Sequence, residues 1–197
     1  MSSESLRKNS IQGSLTAEPD LFSDKAWNLL LASQNLAQSW RHEDLDVEHL
    51  LQVLFNDQAY KSFVEALPIN QSVLMDRVEG FLAEQPMSRG ENLLIGEDLE
   101  KLLENADHFR GRWGSRLIEI SHILIAIGRD QRIGAQLFEE LGLPSERLEA
   151  HIQRSSITTR HRSEHTKKQY GSSQFLSPSK TPGTNRTNYS SKSKSTR

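Results

Sequence analysis

The chain has 197 residues, no cysteine and a formal net charge of −2 at pH 7. Its length fits one domain with tails, and the lack of cysteine excludes a disulfide framework, a thiolate nucleophile and a cysteine metal site. No apolar run approaches the roughly 18 residues that a membrane span needs, and the N-terminus lacks the apolar core of a secretory signal. We therefore expect a cytoplasmic protein, or a protein of the plastid stroma if the source is a plant or alga.

The small net charge hides a division along the chain. Residues 153–197 carry ten basic side chains and one acidic side chain, which gives +9. Residues 1–152 carry 14 basic and 25 acidic side chains, which gives −11. An acidic body followed by a basic tail is an asymmetry that the function has to explain.

The first half of the body has the apolar periodicity of four helices. Residues 1–20 are polar and are predicted to form a flexible N-terminus. The first helix begins near Ser23, and Pro68 ends the third helix because proline cannot continue it. The predicted starts of the second, third and fourth helices carry side chains that cap helices well, namely Asp46, Asp57 and Asn70. This first repeat spans about 21–83.

The second half follows the same plan over about 95–153. Residues 84–95 contain proline, glycine and polar residues, which predicts a connector between the halves. Ser121 is the predicted cap of the second helix of this half, and Asp130 begins the third. Gly142 is expected to end that third helix, as a glycine just past a helix does.

The two halves are copies of one pattern about 73 residues apart. Strand signals are nearly absent, and apolar positions match even where identities differ. The pattern predicts an all-α domain over 21–153, built from two tandem four-helix repeats in a pseudo-twofold arrangement. Four identical pairs carry the alignment: Trp40 with Trp113, His49 with His122, Leu51 with Leu124 and Asp57 with Asp130.

The segment 154–197 is rich in Ser, Thr, Lys, Arg, Gly and Asn. It has too few large apolar residues to offset the entropy of ordering, so we predict a disordered basic tail. Lys167, Lys168 and the other cations could neutralise nucleic-acid phosphates, contact an acidic protein surface, or simply keep the chain soluble. Phosphorylation of the Ser and Thr residues would cancel the positive charge.

Two strings of residues carry a family resemblance. Residues 47–54 read VEHLLQVL, and residues 132–143 read RIGAQLFEELGL. With the duplicated helical plan, they resemble the Clp N-terminal domain, also called the Clp R domain, which heads the ClpA, ClpB and ClpC unfoldases. The resemblance covers about 21–153 and implies the fold just described. No G-x-x-x-x-G-K-[ST] phosphate loop occurs in the sequence, so the chain looks like a free-standing copy, similar in kind to plant ClpT proteins.

The resemblance also implies a role for Glu48. In ClpC-type relatives, the glutamate of the "EH" dipeptide of each half contributes to binding phosphorylated arginine. Here Glu48 matches in the first half, but Ser121 stands at the corresponding position in the second half. The alternative is that Glu48 is a first-turn acid that interacts favourably with the helix dipole.

The remaining candidates are histidines and tryptophans. A structural zinc site normally needs four ligands, which His49 and His122 lack, so we expect buried or cap-supporting histidines and no metal or cofactor. No triad, nucleophile elbow or paired catalytic carboxylates are recognisable, so no catalytic residue is predicted. Trp40 and Trp113 are expected either to be exposed at an interface or to pack beneath the loops.

These observations predict a non-catalytic accessory or regulatory protein of a Clp chaperone–protease system that acts by protein–protein docking. The expected partners are the Clp protease core or Clp unfoldase subunits, together with unfolded or tagged substrate proteins. The alternative is a nucleic-acid-associated protein that binds phosphates through its basic tail. No membrane partner is expected. The candidate partner-binding residues are Glu48, Trp40, Trp113, Lys167 and Lys168.

Overall fold

A computed structural model of the protein describes residues 15–88 and 93–155. Its first ordered elements are two short 3₁₀ turns, Leu15–Ala17 and Pro19–Leu21. Thr16 is fully buried and Leu15 packs against the core. Residues 15–20 lie in the range that the sequence predicts to be flexible, but they are structured because they bury side chains against the second half.

The first half contains four α-helices and one short strand. Ser23 caps the first helix, since its side chain accepts the Ala26 N–H at 3.4 Å. Asn70 likewise caps the fourth helix, as predicted. The elements are α1 Asp24–Trp40, β1 Asp44–Leu45, α2 Val47–Asn56, α3 Lys61–Val64 and α4 Gln71–Glu84, with a 3₁₀ turn Gln58–Tyr60 before α3.

The second half repeats the order of the helices, but its short strand precedes the first helix. Gly142 has a φ of 77°, a left-handed conformation that glycine adopts without strain, and it ends the third helix as predicted. The elements are β2 Leu94–Ile95, α5 Glu97–Arg112, α6 Ile120–Ile127, α7 Gly134–Glu140 and a last helix, α8, over 145–155.

The pseudo-twofold relation is visible in two short parallel backbone pairings, each of which joins one half to the other. Phe22, before α1, pairs with Ile118, before α6. At the equivalent places, Ile95 before α5 pairs with Leu45 before α2. The connecting hydrogen bonds match as well, because Ser23 N–H donates to the Ile118 carbonyl at 3.0 Å and Gly96 N–H donates to the Leu45 carbonyl at 2.9 Å. The predicted architecture of two tandem repeats is confirmed.

Helices α2 and α6 form the centre of the two halves. In α6 every residue except Ser121 is buried, which explains why its sequence is almost entirely apolar. The short α7 approaches α6 closely, since a Cβ atom added to Gly134 would lie 1.8 Å from the Ile127 carbonyl oxygen. A side chain at position 134 would therefore separate the two helices.

Three local predictions need correction. Asp130 does not begin the third helix of the second half, because α7 begins at Gly134; Asp130 Oδ2 instead accepts the Ile133 and Gly134 N–H groups at 2.8 and 3.0 Å. The helix predicted from Asp57 to Pro68 is divided into the turn Gln58–Tyr60 and the single turn of α3, with Asp57 Oδ1 accepting the Ala59 N–H at 2.8 Å. Ser121 is not a helix cap, because the N-cap residue of α6 is Glu119. Over 15–88 and 93–155, no helix has the length and apolarity to cross a membrane.

Candidate functional site

The two paired histidines support the starts of equivalent helices. Asp46 is the N-cap of α2, and its backbone N–H donates to His49 Nδ1 at 3.0 Å. Glu119 is the N-cap of α6, and its backbone N–H donates to His122 Nδ1 at 2.9 Å. Each histidine thus takes the place that Glu or Gln has in a capping box. The prediction of buried, cap-supporting histidines is confirmed for both.

This role requires a neutral imidazole ring. His49 Nδ1 accepts a hydrogen bond, so its proton is on Nε2, which lies 2.8 Å from His42 Nδ1 and donates to it. Burial, with a smaller contribution from the neighbouring His42, lowers the pKa of His49 to about 4. Burial lowers the pKa of His122 to about 4 as well, with a smaller contribution from Arg110. Both rings are neutral at pH 7.

Glu48 lies at the centre of a polar cluster between the halves. Its side chain is fully buried. Arg132 donates to both carboxylate oxygens, and Gln85 Nε2 donates to Oε1. A partner could reach the Glu48 carboxylate only if Arg132 or Gln85 moved away. The role of Glu48 as a partner-binding residue therefore stays a prediction. Such binding requires that the carboxylate first become accessible.

Arg132 is surrounded by acids from both halves. Besides Glu48, its Nη2 lies 3.1 Å from Asp46 Oδ2 and its Nε lies 2.9 Å from Asp98 Oδ2. Asp46 and Glu48 come from the start of α2, Asp98 comes from α5, and Arg132 precedes α7. We call these residues, with Gln85, the Arg132 cluster. It joins the first half to the second.

Burial and charge act against each other in this cluster. Burial raises the pKa of Asp46 to about 6, and Glu48 and Asp98 also raise it, whereas Arg132 lowers it. Burial opposes the charge on Arg132, but its hydrogen bond with Glu48 and the attraction of the three acids outweigh this, so its pKa is raised. One guanidinium thus makes charge-assisted contacts with three carboxylates at once, and the raised pKa of Asp46 shows that it does not offset them fully.

The paired tryptophans are placed differently. Trp40, the last residue of α1, is 41% exposed, and its ring centroid lies 5.6 Å from that of His42. Trp113, which follows α5, is half-buried, and its ring centroid lies 5.2 Å from that of His122. Trp40 therefore fits the prediction of an exposed aromatic, whereas Trp113 packs against the core.

The other predicted binding residues lie elsewhere. Lys167 and Lys168 are outside the residues that the structure describes. Within 15–88 and 93–155, no group of three or more His, Cys, Asp or Glu side chains is arranged to hold a metal ion. Sequence reasoning missed Gln85 and Arg132 as partners of Glu48, and Asp98 as a further partner of Arg132. The sequence offered one weak signal for these contacts: an acid in the first turn of an apolar helix, and an arginine in the other half.

The comparison with protein families agrees with this geometry. Residues 21–141 match the family model of the Clp repeat (R) N-terminal domain. The chain belongs to the Clp N-terminal domain family. This domain is a non-catalytic protein-interaction domain of Clp chaperones.

The relatives are much longer than this chain. It is 54% identical over 147 residues to chaperone protein ClpB 2 of Parasynechococcus marenigrum, which covers 75% of this chain and 16% of that protein. It is 31% identical over 134 residues to ClpB 2 of Synechocystis, which covers 66% of this chain and 15% of that protein. The chain thus corresponds to about one sixth of these relatives.

Solved structures show the same fold at lower identity. The Hsp104 N-terminal domain of Candida albicans matches with a TM-score of 0.58 and 19% identity, covering 66% of this chain and 88% of that one. The N-terminal domain of the ClpV1 ATPase of E. coli matches with a TM-score of 0.53 and 20% identity, covering 67% and 83%. At these identities the similarity establishes the fold alone.

Proposed function

We propose that this chain is a non-catalytic accessory or regulatory protein of a Clp chaperone–protease system and that it acts by docking to other proteins. The observation that carries the proposal is the match of residues 21–141 to a protein-interaction domain. The expected partners are the Clp protease core or Clp unfoldase subunits, with unfolded or tagged substrates as further ligands. A cytoplasmic location, or the plastid stroma in a plant or alga, is part of the proposal.

The geometry of the described residues supports a binding role. The most strongly perturbed titratable groups, His49, His122 and Asp46, stabilise helix starts and the contact between halves. Their shifts therefore have a structural cause. By contrast, the large apolar side chains of Trp40, Val73, Met87 and Leu94 are exposed. Exposed apolar area is the feature that protein docking uses.

Co-purification tests the proposal. The tagged chain is expressed in its own cells, and proteins recovered under gentle conditions are quantified against a tag-only control. We expect Clp protease or unfoldase subunits to be enriched. Recovery of no Clp subunit, with the tagged chain present in soluble form, would count against the proposed function.

The alternative is a nucleic-acid-associated protein. It is favoured by the charge of +9 over residues 153–197. Binding through Lys and Arg to phosphates falls steeply as salt rises, because condensed counterions are released. A salt titration of binding to a labelled oligonucleotide, with and without residues 156–197, separates the two functions. Salt-sensitive binding that needs the tail supports the alternative, and its absence removes it.

A further inference from the structure

Two carboxylates of the Arg132 cluster share one nitrogen of the guanidinium. Arg132 Nη2 lies 3.1 Å from Asp46 Oδ2 and also contacts the Glu48 carboxylate. The third acid, Asp98, lies 2.9 Å from Arg132 Nε and has a second cation, because Lys101 Nζ is 3.9 Å from its Oδ1. Two like charges beside one cation oppose each other's ionisation. Asp46 and Glu48 therefore compete for Arg132.

Hydrogen bonding decides which of these two carboxyls binds a proton more readily. Both oxygens of Glu48 accept from Arg132, and Oε1 also accepts from Gln85 Nε2. Such donors favour the charged form of Glu48. Burial raises the pKa of Asp46 to about 6 against the attraction of Arg132. Asp46 is thus the carboxyl of the pair that takes up the proton.

The second half covers the Asp46 side chain, although Asp46 itself belongs to the first half. A Cβ atom added to Gly96, at the junction of β2 and α5, would lie 2.6 Å from Asp46 Cγ and 2.7 Å from its Oδ2. The backbone is held there because Gly96 N–H donates to the Leu45 carbonyl at 2.9 Å. The Asp46 side chain is left 12% exposed. Its burial thus depends on the contact between the halves.

Proton uptake by Asp46 is therefore coupled to the contact at Gly96. With the halves joined, the pKa of Asp46 is about 6, whereas a carboxyl opened to water returns to its ordinary value of 3.8. A group whose pKa is raised in one state binds its proton preferentially in that state, so falling pH favours the joined halves. Between about pH 7.5 and about pH 5 the equilibrium shifts about tenfold towards the joined state.

The histidine bonded to Asp46 stays neutral over this range. His49, whose Nδ1 accepts the Asp46 N–H, has its pKa lowered to about 4 by burial. Burial also lowers the pKa of His42, which contacts His49. Acid partners hold the pKa of Arg132 and of Lys101 above their ordinary values, so both remain cations. The proton is therefore assigned to Asp46.

The pairing on the other side of the pseudo-twofold fold lacks this pair of buried acids. There the Ser23 N–H donates to the Ile118 carbonyl at 3.0 Å, as Gly96 N–H does to Leu45. Glu119 stands at the position equivalent to Asp46 and is exposed, and Ser121 stands at the position equivalent to Glu48. The two pairings thus provide a comparison within one chain.

We infer that the Arg132 cluster is a proton-operated latch between the halves: uptake of one proton by Asp46 strengthens their contact at Gly96, and loss of that proton weakens it. The latch also controls access to Glu48, because Arg132 belongs to the second half and covers the Glu48 carboxylate. This inference goes beyond the docking function and does not depend on the identity of a partner.

Carbon-detected NMR of the full chain follows the ionisation of the Asp46 carboxyl directly. We expect its Cγ resonance to titrate with a midpoint near pH 6. Glu48→Gln removes the competing charge and leaves Arg132 to Asp46, so the midpoint should fall in that variant. A wild-type midpoint near the ordinary value of 3.8, or a midpoint that Glu48→Gln leaves unchanged, would overturn the inference.

Amide hydrogen exchange measures the contact itself. The protection of the Gly96 amide, corrected for the intrinsic exchange rate, should rise about tenfold relative to that of the Ser23 amide between about pH 7.5 and about pH 5. Taking the ratio of the two amides removes changes in global stability. Asp46→Asn keeps a good helix cap without a titrating carboxyl and should abolish the rise. The matched control is Asp57→Asn, a capping aspartate outside the cluster, which should leave the rise unchanged.

Each outcome supports or overturns the latch. Equal changes at Gly96 and Ser23, or a rise at Gly96 that persists in Asp46→Asn, would overturn it. If Asp46→Asn is not folded by circular dichroism, Glu48→Gln takes its place, and the rise at Gly96 should then become smaller as the Asp46 midpoint falls. Neither measurement uses a Clp component, so failure of the latch and failure of the proposed function are distinguished.

Discussion

Arg132 of the second half lies against the fully buried carboxylate of Glu48 in the first half, 84 residues earlier in the chain. The contact unites the residue that the family resemblance marks for ligand binding with a cation that the sequence did not single out. Because Asp46 and Asp98 share the same guanidinium, the contact also joins three helices. Its consequences for stability and for ligand binding can be measured separately.

Removing the guanidinium should destabilise the domain. Arg132→Ala leaves Glu48 buried without its cation, and an uncompensated buried charge costs on the order of 3 kcal/mol in the free energy of unfolding. Urea denaturation followed by circular dichroism measures this change. The matched control is Arg77→Ala, which removes an exposed ion pair with Glu140 at 3.2 Å and should cost less than about 1 kcal/mol. Equal losses in the two variants would contradict a special role for Arg132.

The contact between Arg132 and Glu48 should prevent phosphoarginine binding. Both Glu48 oxygens accept hydrogen bonds from the protein itself, and Ser121 replaces the second glutamate. We therefore expect isothermal titration of the full chain with phosphoarginine to show no saturable binding. Saturable binding that is lost in Glu48→Gln would show that Arg132 gives way to the ligand and that the family's activity is retained.

The histidine caps predict a loss of stability in acid. The folded-state pKa values of His49 and His122 are lowered to about 4 from an ordinary value of 6.5. The unfolded chain therefore binds protons first as pH falls. Stability that is fully present above pH 6.5 is lost progressively towards pH 4, by on the order of 3 kcal/mol for each ring.

Protonation of Asp46 changes stability in the opposite direction. Its folded-state pKa is raised to about 6 from 3.8, so the folded state takes up a proton first and gains stability as pH falls through this range. The two histidines outweigh this single carboxyl, and a net loss between pH 6.5 and 4 is expected in urea melts. His122→Gln keeps a capping acceptor that does not titrate, so the loss should become smaller. An unchanged pH profile in that variant would contradict the proposed cause.

Gly134 should be needed for the contact between α6 and α7. Gly134→Ala would place a methyl group 1.8 Å from the Ile127 carbonyl oxygen, so the backbone must shift. We expect a loss of about 2 kcal/mol or more in the free energy of unfolding. Gly80→Ala is the control, because nothing lies within 4 Å of its added Cβ atom and alanine favours the helix by about 1 kcal/mol. A stable Gly134→Ala variant would show that α7 is not fixed as described.

The fold could be predicted because the signals that specify it repeat regularly along the sequence. Apolar spacing, the 73-residue offset and caps such as Ser23 and Asn70 are local signals, and each appears in the structure at the predicted place. The cap of α6 was assigned wrongly because Ser is the commoner cap. The structure instead uses Glu119 together with His122, a combination whose backbone hydrogen bond is not evident from residue type.

The contacts between halves could not be predicted in the same way. Arg132 meets Glu48 across 84 residues, and no periodic pattern carries that information. The exposure of Met87 and Leu94 also depends on tertiary structure, because the backbone at 86–88 and at Leu94 is hydrogen-bonded to residues 41–43. Trp40 and Trp113 have equal places in the repeat, but Trp40 is 41% exposed whereas Trp113 packs against the core.

Direct binding to purified Clp components is the measurement that tests the docking function most closely. The full chain is titrated, by sedimentation velocity, against a purified ClpB-type unfoldase ring and a purified Clp protease core, and a variant that lacks residues 156–197 is titrated in parallel. We predict saturable, stoichiometric association of the full chain with at least one component, retained when the tail is deleted. No association with either component, or association that disappears with the tail and with rising salt, would contradict docking by the folded domain.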